Sequence, residues 1–443
     1  MIFDEWGIFA WLEPVKLLFV LVLIALLTVR VQTSRKAFVA VAAGLSIALA
    51  TTDPAWMGAV KTGLGSAAFI GAFFAALSTL RNVAGTSPAI QRAGAFLTGQ
   101  RPGHRYAALT VGGQAFALLL NYGALQLLGT LAMSNAESEN NPEVRGHRIR
   151  RMLLAIQRGF VSTLPWSPLS FAMVVSTSVI PETSWAENLL AGLVTSLILA
   201  GVGWALDTAF KPRVAVASVP VPPSGTWVVM VPLVTLLAAL VAGVVVLNQI
   251  TDVRIVGLVA VLVPAIALVW MLIQHWADAP LSNVARRVHT YVLHELPSYR
   301  GELILLMMAG YIGTVGARLL GPQLLGAGLN FSAVPPWIIL ASLVWIIPLA
   351  GQIGMNPILA VTLIAPLIPD VASLGVEPTA LVVTLIAGWT ISGASSPFTA
   401  TTLLIGSFAG VSARHVGVVW NGLYSLVCSC ALTAWVLIYA FVL

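Results

Sequence analysis

Long apolar runs separated by short polar loops dominate this 443-residue chain. A helix needs roughly 20 apolar residues to cross the hydrocarbon core of a bilayer, so each run predicts one membrane-spanning helix. Two longer segments, 148–180 and 377–412, carry the same pattern but are interrupted midway by proline and small polar residues. The uninterrupted runs are 15–31, 36–52, 57–80, 187–208, 226–248, 254–275, 301–320 and 416–442. The pattern predicts an all-α polytopic membrane protein with about ten transmembrane helices.

Two further segments, 106–133 and 336–369, are too long for one pass and are interrupted at their centres. The interruption is Asn121-Tyr122-Gly123 in the first segment and runs from Gly351 to Pro357 in the second. Non-helical backbone survives at membrane depth only where protein or a water-filled cavity receives its polar groups. Each segment is therefore either a kinked full crossing or a re-entrant helical hairpin that enters and leaves on one side.

The composition is that of a protein whose solvent is the bilayer. Hydrophobic residues make up 58% of the chain and charged residues 9%, whereas a soluble domain carries about 25% charged residues. This excludes a soluble enzyme, a disulfide scaffold and a coiled coil. The sequence contains no GxxxxGK[ST], HExxH or GxSxG motif, so it predicts neither an enzyme nor a resident cofactor. Cys428 and Cys430 are expected to serve packing alone.

The distribution of basic residues distinguishes hairpins from full crossings, because cytoplasmic loops collect Lys and Arg. With two hairpins and an N-terminus outside, all but four of the 22 basic residues fall on one face. Reading either hairpin as a full crossing inverts everything after it and destroys this sorting. The four exceptions are Lys16, Lys61, Arg254 and Arg318. The opposite face collects Asp4, Glu5, Glu13, Asp53, Glu182, Glu187, Asp252, Asp370 and Glu377.

A Pro-rich polar linker at 211–225 divides the chain into two halves, 1–210 and 226–443. Each half has three spans, a hairpin, a broken span and a last span. The first half begins outside and the second inside, so the halves form inverted repeats. Asn356 takes the place of Asn121 in the second half, and Pro397 takes the place of Pro168. Inverted repeats with paired broken helices are typical of secondary transporters. A duplicated structural bundle without transport is the alternative.

The four interruptions supply the candidate site. A half-helix that starts at mid-membrane directs unpaired N–H groups and its positive dipole end at the cavity, which favours an anion, while opposing carbonyls can hold a cation. Hydroxyl and amide side chains can add donors or acceptors, and Gly123 and Gly354 are expected to permit the sharp reversals. The candidate substrate- and ion-binding residues are Asn121, Tyr122, Gly123, Ser167, Pro168, Ser170, Asn356, Pro357, Ser395, Ser396, Pro397 and Thr399. Alternatively, Ser and Pro only kink the helices, and a tip Asn only caps the returning helix.

Charge in the predicted spans constrains the substrate and the partners. No Asp or Glu lies deep in a span, which weakens a proton relay and fits an anion held by backbone and hydroxyls. Arg318 lies towards a span end, where snorkelling is the expected role. Two basic segments, 81–105 and 279–300, are expected to lie along the inner leaflet against anionic lipid. Nucleic-acid binding is not expected, because neither segment has a recognisable nucleic-acid-binding motif.

The local motifs resemble the ion transporter superfamily and, within it, the divalent anion:sodium symporters. Each hairpin tip of that family reads Ser-Asn-Thr, and here Leu120-Asn121-Tyr122 and Met355-Asn356-Pro357 occupy the tips, so only the Asn of each triplet matches. The stretches 164–168 and 394–398 resemble the family's broken-helix motif. The resemblance implies a scaffold and a transport domain, an elevator-like movement and a homodimer. It also implies possible Na+ sites at the Asn121 and Asn356 tips.

The sequence thus predicts a secondary active transporter in the inner (plasma) membrane. The predicted substrate is a small anion, with an organic carboxylate as the first candidate. Coupling to Na+ or to H+ is open. Within transport, the alternatives are a proton-coupled antiporter and a membrane subunit that receives substrate from a separate binding protein. Outside transport, the alternative is an integral membrane protein that is structural or acts on lipid-linked substrates.

Overall fold

The computed structural model of the chain describes residues 13–180, 182–211, 225–251, 253, 255–276, 279–326, 334–369 and 371–443. Most of the predicted linker at 211–225 lies outside the described residues. So do six residues of the charge sorting: Asp4, Glu5, Arg213, Asp252, Arg254 and Asp370.

Within the described residues the chain forms helices and turns and no β-strand, which confirms the predicted all-α class. Helices of eight or more residues are numbered in chain order. They are α1 (Glu13–Arg30), α2 (Thr33–Thr52), α3 (Trp56–Gly85), α4 (Pro88–Thr98), α5 (Pro102–Leu120), α6 (Tyr122–Glu137), α7 (Pro142–Thr163), α8 (Phe171–Val179), α9 (Trp185–Ala209), α10 (Val231–Ile250), α11 (Ile255–Gln274), α12 (Pro280–Thr290), α13 (Arg300–Gly326), α14 (Pro336–Gln352), α15 (Pro357–Ile364), α16 (Pro378–Ser395), α17 (Ala400–Ala409) and α18 (Gly422–Phe441).

Proline and polar caps set where several helices begin. Proline opens α4, α5, α7, α14, α15 and α16, where its fixed φ suits the helix and its missing N–H donor costs nothing. At α9, Ser184 and Glu187 form a reciprocal capping box. At α7, the Asn141 side chain accepts hydrogen bonds from the first-turn N–H groups. The polar loops between apolar runs therefore also contain the signals that begin the next helix.

Eight stretches of the described chain are long and apolar enough to cross a bilayer, so the chain is an integral membrane protein. They contain α2, α3, α9, α10, α11, α13, α18 and the segment Pro378–Ala409, which spans α16 and α17. The other two predicted spans are α1 and the pair α7–α8. The first includes Glu13, Lys16 and Arg30, and α7 includes several arginines. Their crossing stays a prediction.

Glycines bring α3 and α13 into close contact. Gly63 faces the Tyr311 ring, and Gly71 faces the Met307 side chain. Small residues allow such close approach between membrane helices. Helices α1, α2 and α11 pack around this pair, and α15 joins it to α8 and the rest of the bundle.

The first arm of each predicted hairpin packs against the broken helix that follows it. A Cβ at Gly159 of α7 would lie 2.6 Å from the carbonyl oxygen of Thr110 in α5. A Cβ at Gly388 of α16 would lie 2.9 Å from the carbonyl oxygen of Leu343 in α14. Gly159 and Gly388 are separated in sequence by the same interval as the two break prolines. The two predicted hairpins and the broken helices that follow them therefore meet through glycines at corresponding positions.

Candidate functional site

The first interruption, residues 164–170, separates α7 from α8 and is held by its own serines. The Ser167 Oγ accepts a hydrogen bond from the Leu169 N–H at 3.1 Å. The Ser170 hydroxyl donates to the Leu164 carbonyl at 2.7 Å. The buried residues of this break include Ser167, Pro168 and Ser170. This break is therefore sealed inside the protein.

The second interruption, residues 396–399, repeats these bonds between α16 and α17. The Ser396 Oγ accepts from the Phe398 N–H at 3.2 Å, and the Thr399 hydroxyl lies 3.4 Å from the Gly393 carbonyl oxygen, to which it donates. Each of these groups follows its counterpart in the first break at the interval that separates Pro397 from Pro168. The two breaks therefore share one local conformation at equivalent positions of the two halves.

The two breaks differ in exposure and in capping. Ser170 caps α8 by accepting a hydrogen bond from the Met173 N–H at 3.1 Å, whereas Thr399 makes no side-chain cap on α17. Phe398 is 60% exposed, and Pro397 and Thr399 are half-buried. The second break is therefore partly exposed, while the first is buried.

The predicted site hydroxyls donate mainly to backbone carbonyls. Ser395 donates to the Ile391 carbonyl at 2.8 Å, and Ser396 donates to the Gly351 carbonyl at 2.6 Å. The one proton of the Thr399 hydroxyl has the Ser396 carbonyl, at 2.9 Å, as a second and closer acceptor beside the Gly393 carbonyl. In this conformation these protons are not available to an anion. The hydroxyls stabilise the breaks, which is the role that the alternative interpretation gave them.

The second hairpin tip adjoins the second break. The Asn356 Oδ1 accepts a hydrogen bond from the Ile358 N–H at 2.9 Å and so caps α15, with Pro357 as its first residue. Gly354 has φ +96, as expected for the reversal. The Gln352 Nε2 donates to the Ser395 Oγ at 3.3 Å. The Asn356 Nδ2 has no hydrogen-bond acceptor within the described part of the chain.

The first tip reverses differently from the prediction. Asn121 itself takes the positive φ of 49, and Gly123 lies inside α6 with an ordinary helical backbone. The prediction that Gly123 permits the reversal is therefore wrong. Asparagine tolerates this region of backbone space better than most residues. Gly123 instead leaves room for Arg81, whose Nε would lie 3.1 Å from a Cβ at Gly123. The Tyr122 ring stacks on Phe160 of α7 with centroids 5.2 Å apart.

The two breaks lie against each other. A Cβ at Gly393 would lie 3.3 Å from Val161 and 3.8 Å from Leu164. The Gln157 Nε2 on α7 donates to the Ala394 carbonyl at 3.3 Å. The breaks and the second tip thus form one cluster. Among the described residues, no hydrogen bond joins the first tip to either break.

Arg158, which sequence reasoning assigned to the basic inner face, is 5% exposed and lies beside this cluster. It donates to the Asn421 Oδ1 at 3.1 Å and to the Tyr106 hydroxyl at 3.1 Å, and it lies over the Tyr424 ring at 4.4 Å. No carboxylate in the described part of the chain forms an ion pair with it; the neighbouring Asp207 pairs with Arg151 instead. The sequence signal that identifies Arg158 is its position, two helical turns beyond Arg151 and well inside the apolar part of α7.

A chain of hydrogen bonds runs from this buried cation to the second break. Arg158 donates to Asn421, and the Asn421 Nδ2 donates to the Gln157 Oε1 at 2.9 Å. Gln157 in turn donates to the Ala394 carbonyl near the C-terminus of α16. The positive charge is therefore connected, through two amides, to the negative end of that half-helix dipole.

A cavity of about 1040 Å³ lies apart from the breaks. It is bounded by α1, α3 and α13 on one side and by the ends of α8 and α15 on the other. Its lining includes Lys16, Lys61 and Arg318, three of the four basic residues that the charge sorting left off the basic face. None of the predicted site residues lines it. Elsewhere in the described residues, no group of three His, Cys, Asp or Glu side chains is placed to hold a metal ion.

Arg318 at the cavity mouth has a defined partner, so the snorkelling prediction is incomplete. Its Nε donates to the Asp53 carboxylate at 2.8 Å. The Ala55 N–H and this guanidinium together hold the pKa of the Asp53 carboxyl below its usual value.

The fold as a whole is similar to those of membrane transporters of known structure. The YdaH transporter of Alcanivorax borkumensis, reported to have an unusual topology, superposes with a TM-score of 0.60 at 16% identity, over 91% of this chain and 98% of that chain. MtrF of Neisseria gonorrhoeae, described within a class of antimetabolite efflux pumps, superposes with a TM-score of 0.59 at 14% identity, over 93% and 96%. No protein-family model and no curated protein sequence matches the chain. The likeness extends over nearly the whole of each chain and concerns the fold.

Proposed function

We propose that the protein is a secondary active transporter of a small anion, an organic carboxylate in the first instance, in the cytoplasmic membrane. The observation that carries the proposal is the pair of equivalent helix breaks, in which two hydrogen bonds recur at one constant interval in sequence and which pack against each other. Paired broken helices at the repeat interface form the substrate sites of many secondary transporters. The shared fold with YdaH and MtrF supports transport as the general activity.

The chemistry of the second break favours an anion over a cation. Carbonyls at the end of α16 already accept hydrogen bonds: that of Ala394 from Gln157, and that of Ser396 from Thr399 and Thr402. Few lone pairs are left for a cation there. On the opposite side, the N-terminus of α17 has no side-chain cap, and the free Asn356 Nδ2 adds a donor. Uncapped N–H groups and an amide donor suit a carboxylate.

Coupling to Na+ or H+ and an elevator-like movement within a homodimer complete the proposal. The direction of transport has a second candidate, because MtrF is described as an efflux pump. Export of the anion is therefore tested beside import, in vesicles of both orientations.

The test is a series of substitutions at Asn356 that separates capping from binding. Ser caps a helix about as well as Asn, so Asn356→Ser keeps the bond from the Ile358 N–H but removes the amide donor. We expect Asn356→Ala and Asn356→Ser both to lose most uptake of labelled carboxylates, and only the Ala variant to lose stability. Asn356→Asp keeps the cap and adds a negative charge, so it should abolish uptake of an anion.

Proteoliposomes with imposed sodium or proton gradients give the readout, with sulfate and phosphate beside the carboxylates. Full uptake by the Ser variant would mean that Asn356 only caps α15. Enhanced cation-dependent uptake by the Asp variant would contradict the anion assignment.

A further inference from the structure

The cavity between α1, α3 and α13 and the ends of α8 and α15 lies at one end of these helices. Lys61 is near the start of α3, and Arg318 is near the end of α13. The charge distribution predicts that this end faces outside. Its volume of about 1040 Å³ is slightly larger than the usual range of small-molecule sites, roughly 300–1,000 Å³.

The cavity mouth is positively charged. Lys16, Lys61 and Arg318 line it, and Glu13 is the one acidic residue among its lining residues. Arg318 shares its charge with Asp53, whereas the Lys61 ammonium is exposed and forms no ion pair with any described residue. The other charged residues of the predicted outer face are mainly acidic, so the cavity differs from its surroundings in having more basic than acidic lining residues.

The interior combines hydroxyls with apolar walls. Ser66 of α3 and Thr314 of α13 are bonded to each other at 3.1 Å across the floor, and Thr62, Ser178 and Thr362 also line the cavity. Phe69, Ile70 and Val175 supply apolar surface. Cations at the mouth and mixed walls inside suit an organic anion with an apolar body, rather than a small, strongly hydrated ion.

One wall belongs to a broken helix. Val175, Ser178 and Val179 are on α8, the helix that begins at the first break. The opposite wall is the α3–α13 pair. A ligand in the cavity therefore contacts both the helix group around α3 and an element of the candidate transport site.

We propose that this cavity is an anion-binding vestibule at the outer face, which receives an organic carboxylate or sulfonate with an apolar portion. Its role as the entrance or exit for transport rests on the proposed function, but anion binding in it does not.

The test measures thiol modification at single cysteines, with the exposed Cys430 replaced by serine. Thr62→Cys and Ser66→Cys report on the vestibule, and Thr51→Cys, exposed at the outer end of α2, is the matched control. The reagents are the anionic sulfonatoethyl and the cationic trimethylammonium-ethyl methanethiosulfonates, applied from outside. Relative to the control, we expect the anionic-to-cationic rate ratio to be about fivefold higher in the vestibule, from Coulomb attraction at this range. Lys61→Gln should lower that ratio at Thr62→Cys and leave it unchanged at Thr51→Cys.

Protection provides the second readout. Millimolar benzoate should slow modification of Ser66→Cys, whereas benzylammonium and sodium chloride at equal ionic strength should not. Equal rates for the two reagents together with no protection by benzoate would overturn the proposal, and modification only from the inside would overturn its outer location. Because neither readout requires transport, a protein that binds benzoate here but moves no anion would contradict the proposed function alone.

Discussion

The buried Arg158 network allows a prediction with a calculable magnitude. The perturbation is Asn421→Leu, which preserves side-chain volume but removes the acceptor for the Arg158 Nε–H and the donor to Gln157. Asn421 and Gln157 are fully buried, and Arg158 nearly so. The substitution therefore leaves the Arg158 Nε–H and the Gln157 Oε1 without their hydrogen-bond partners where water has little access, while Arg158 keeps its bond to the Tyr106 hydroxyl and Gln157 its bond to the Ala394 carbonyl.

The expected destabilisation is the sum of two losses. A hydrogen bond from a charged donor contributes about 1.5–3 kcal/mol and a neutral one about 1 kcal/mol, and each group left unpaired in a buried site adds its desolvation cost. We therefore expect Asn421→Leu to lower the free energy of unfolding by about 3–5 kcal/mol. Asn421→Asp retains the acceptor and neutralises the guanidinium but, like Leu, loses the donor to Gln157, so it should destabilise the protein less than Asn421→Leu does.

Heat-induced loss of the monodisperse fraction in detergent gives the ranking, and reversible denaturant unfolding in lipid nanodiscs gives the free energies. A double-mutant cycle with Arg158→Leu isolates the interaction, because the double variant no longer contains the unpaired guanidinium. It should be more stable than the sum of the two single effects implies.

Two results would refute this reasoning. If Asn421→Leu were as stable as the parent protein, water or lipid would be accepting the hydrogen bond of the guanidinium in place of Asn421. If the cycle were strictly additive, Arg158 and Asn421 would not interact energetically, whatever the distance between them.

Two other substitutions test the packing and the ion pairs. Gly388→Ala would bring a Cβ to 2.9 Å from the Leu343 carbonyl oxygen and should destabilise the protein by about 1–3 kcal/mol. The control is Gly201→Ala, which faces open space and should be neutral or slightly stabilising in the same melting assay. Equal effects of the two substitutions would mean that α14 and α16 can separate freely. Asp207→Asn breaks a half-buried contact of two hydrogen bonds with Arg151. It should lower the melting temperature more than Asp53→Asn, because Arg318, the partner of Asp53, is exposed. The reverse order would contradict the argument that burial strengthens the ion pair.

Local chemistry made the breaks predictable. Pro168 and Pro397 lack the N–H that would continue a helix, and a serine before each of them and a hydroxyl residue two positions after each can bond to the freed backbone. These signals lie within a few residues of each other, so the sequence contains them. Their roles were less predictable, because a hydroxyl that could serve a ligand could equally serve a carbonyl. The structure gives most of those protons to carbonyls.

Features built from distant segments escaped prediction. Arg158 finds its partners on α5 and just before α18, which are 52 and 263 residues away in sequence. The position of Arg158 inside the apolar part of α7 sets it apart from the other arginines, but no residue near it in sequence shows which distant groups will accept its hydrogen bonds. The cavity lies between five helices from both halves of the chain, so the sequence does not show that their residues come together. Its basic residues could be recognised from the sequence only as exceptions to the rule that basic residues lie on one face. At the first tip, Asn121 and Gly123 can both reverse a chain, and only the backbone angles show which one does.

The use of the break hydroxyls within the protein has an evolutionary consequence. Positions 167, 170, 396 and 399 are constrained by the backbone conformation that they hold, whatever passes through the membrane. Natural variants with different substrates should therefore keep a short polar side chain at these four positions. Divergence that tracks substrate should instead fall on groups that the fold leaves free, such as the Asn356 amide and the walls of the cavity around Lys61. Among relatives of this chain, we expect the four hydroxyl positions to be conserved whatever the substrate. We expect the positions of Asn356 and Lys61 to vary with the substrate.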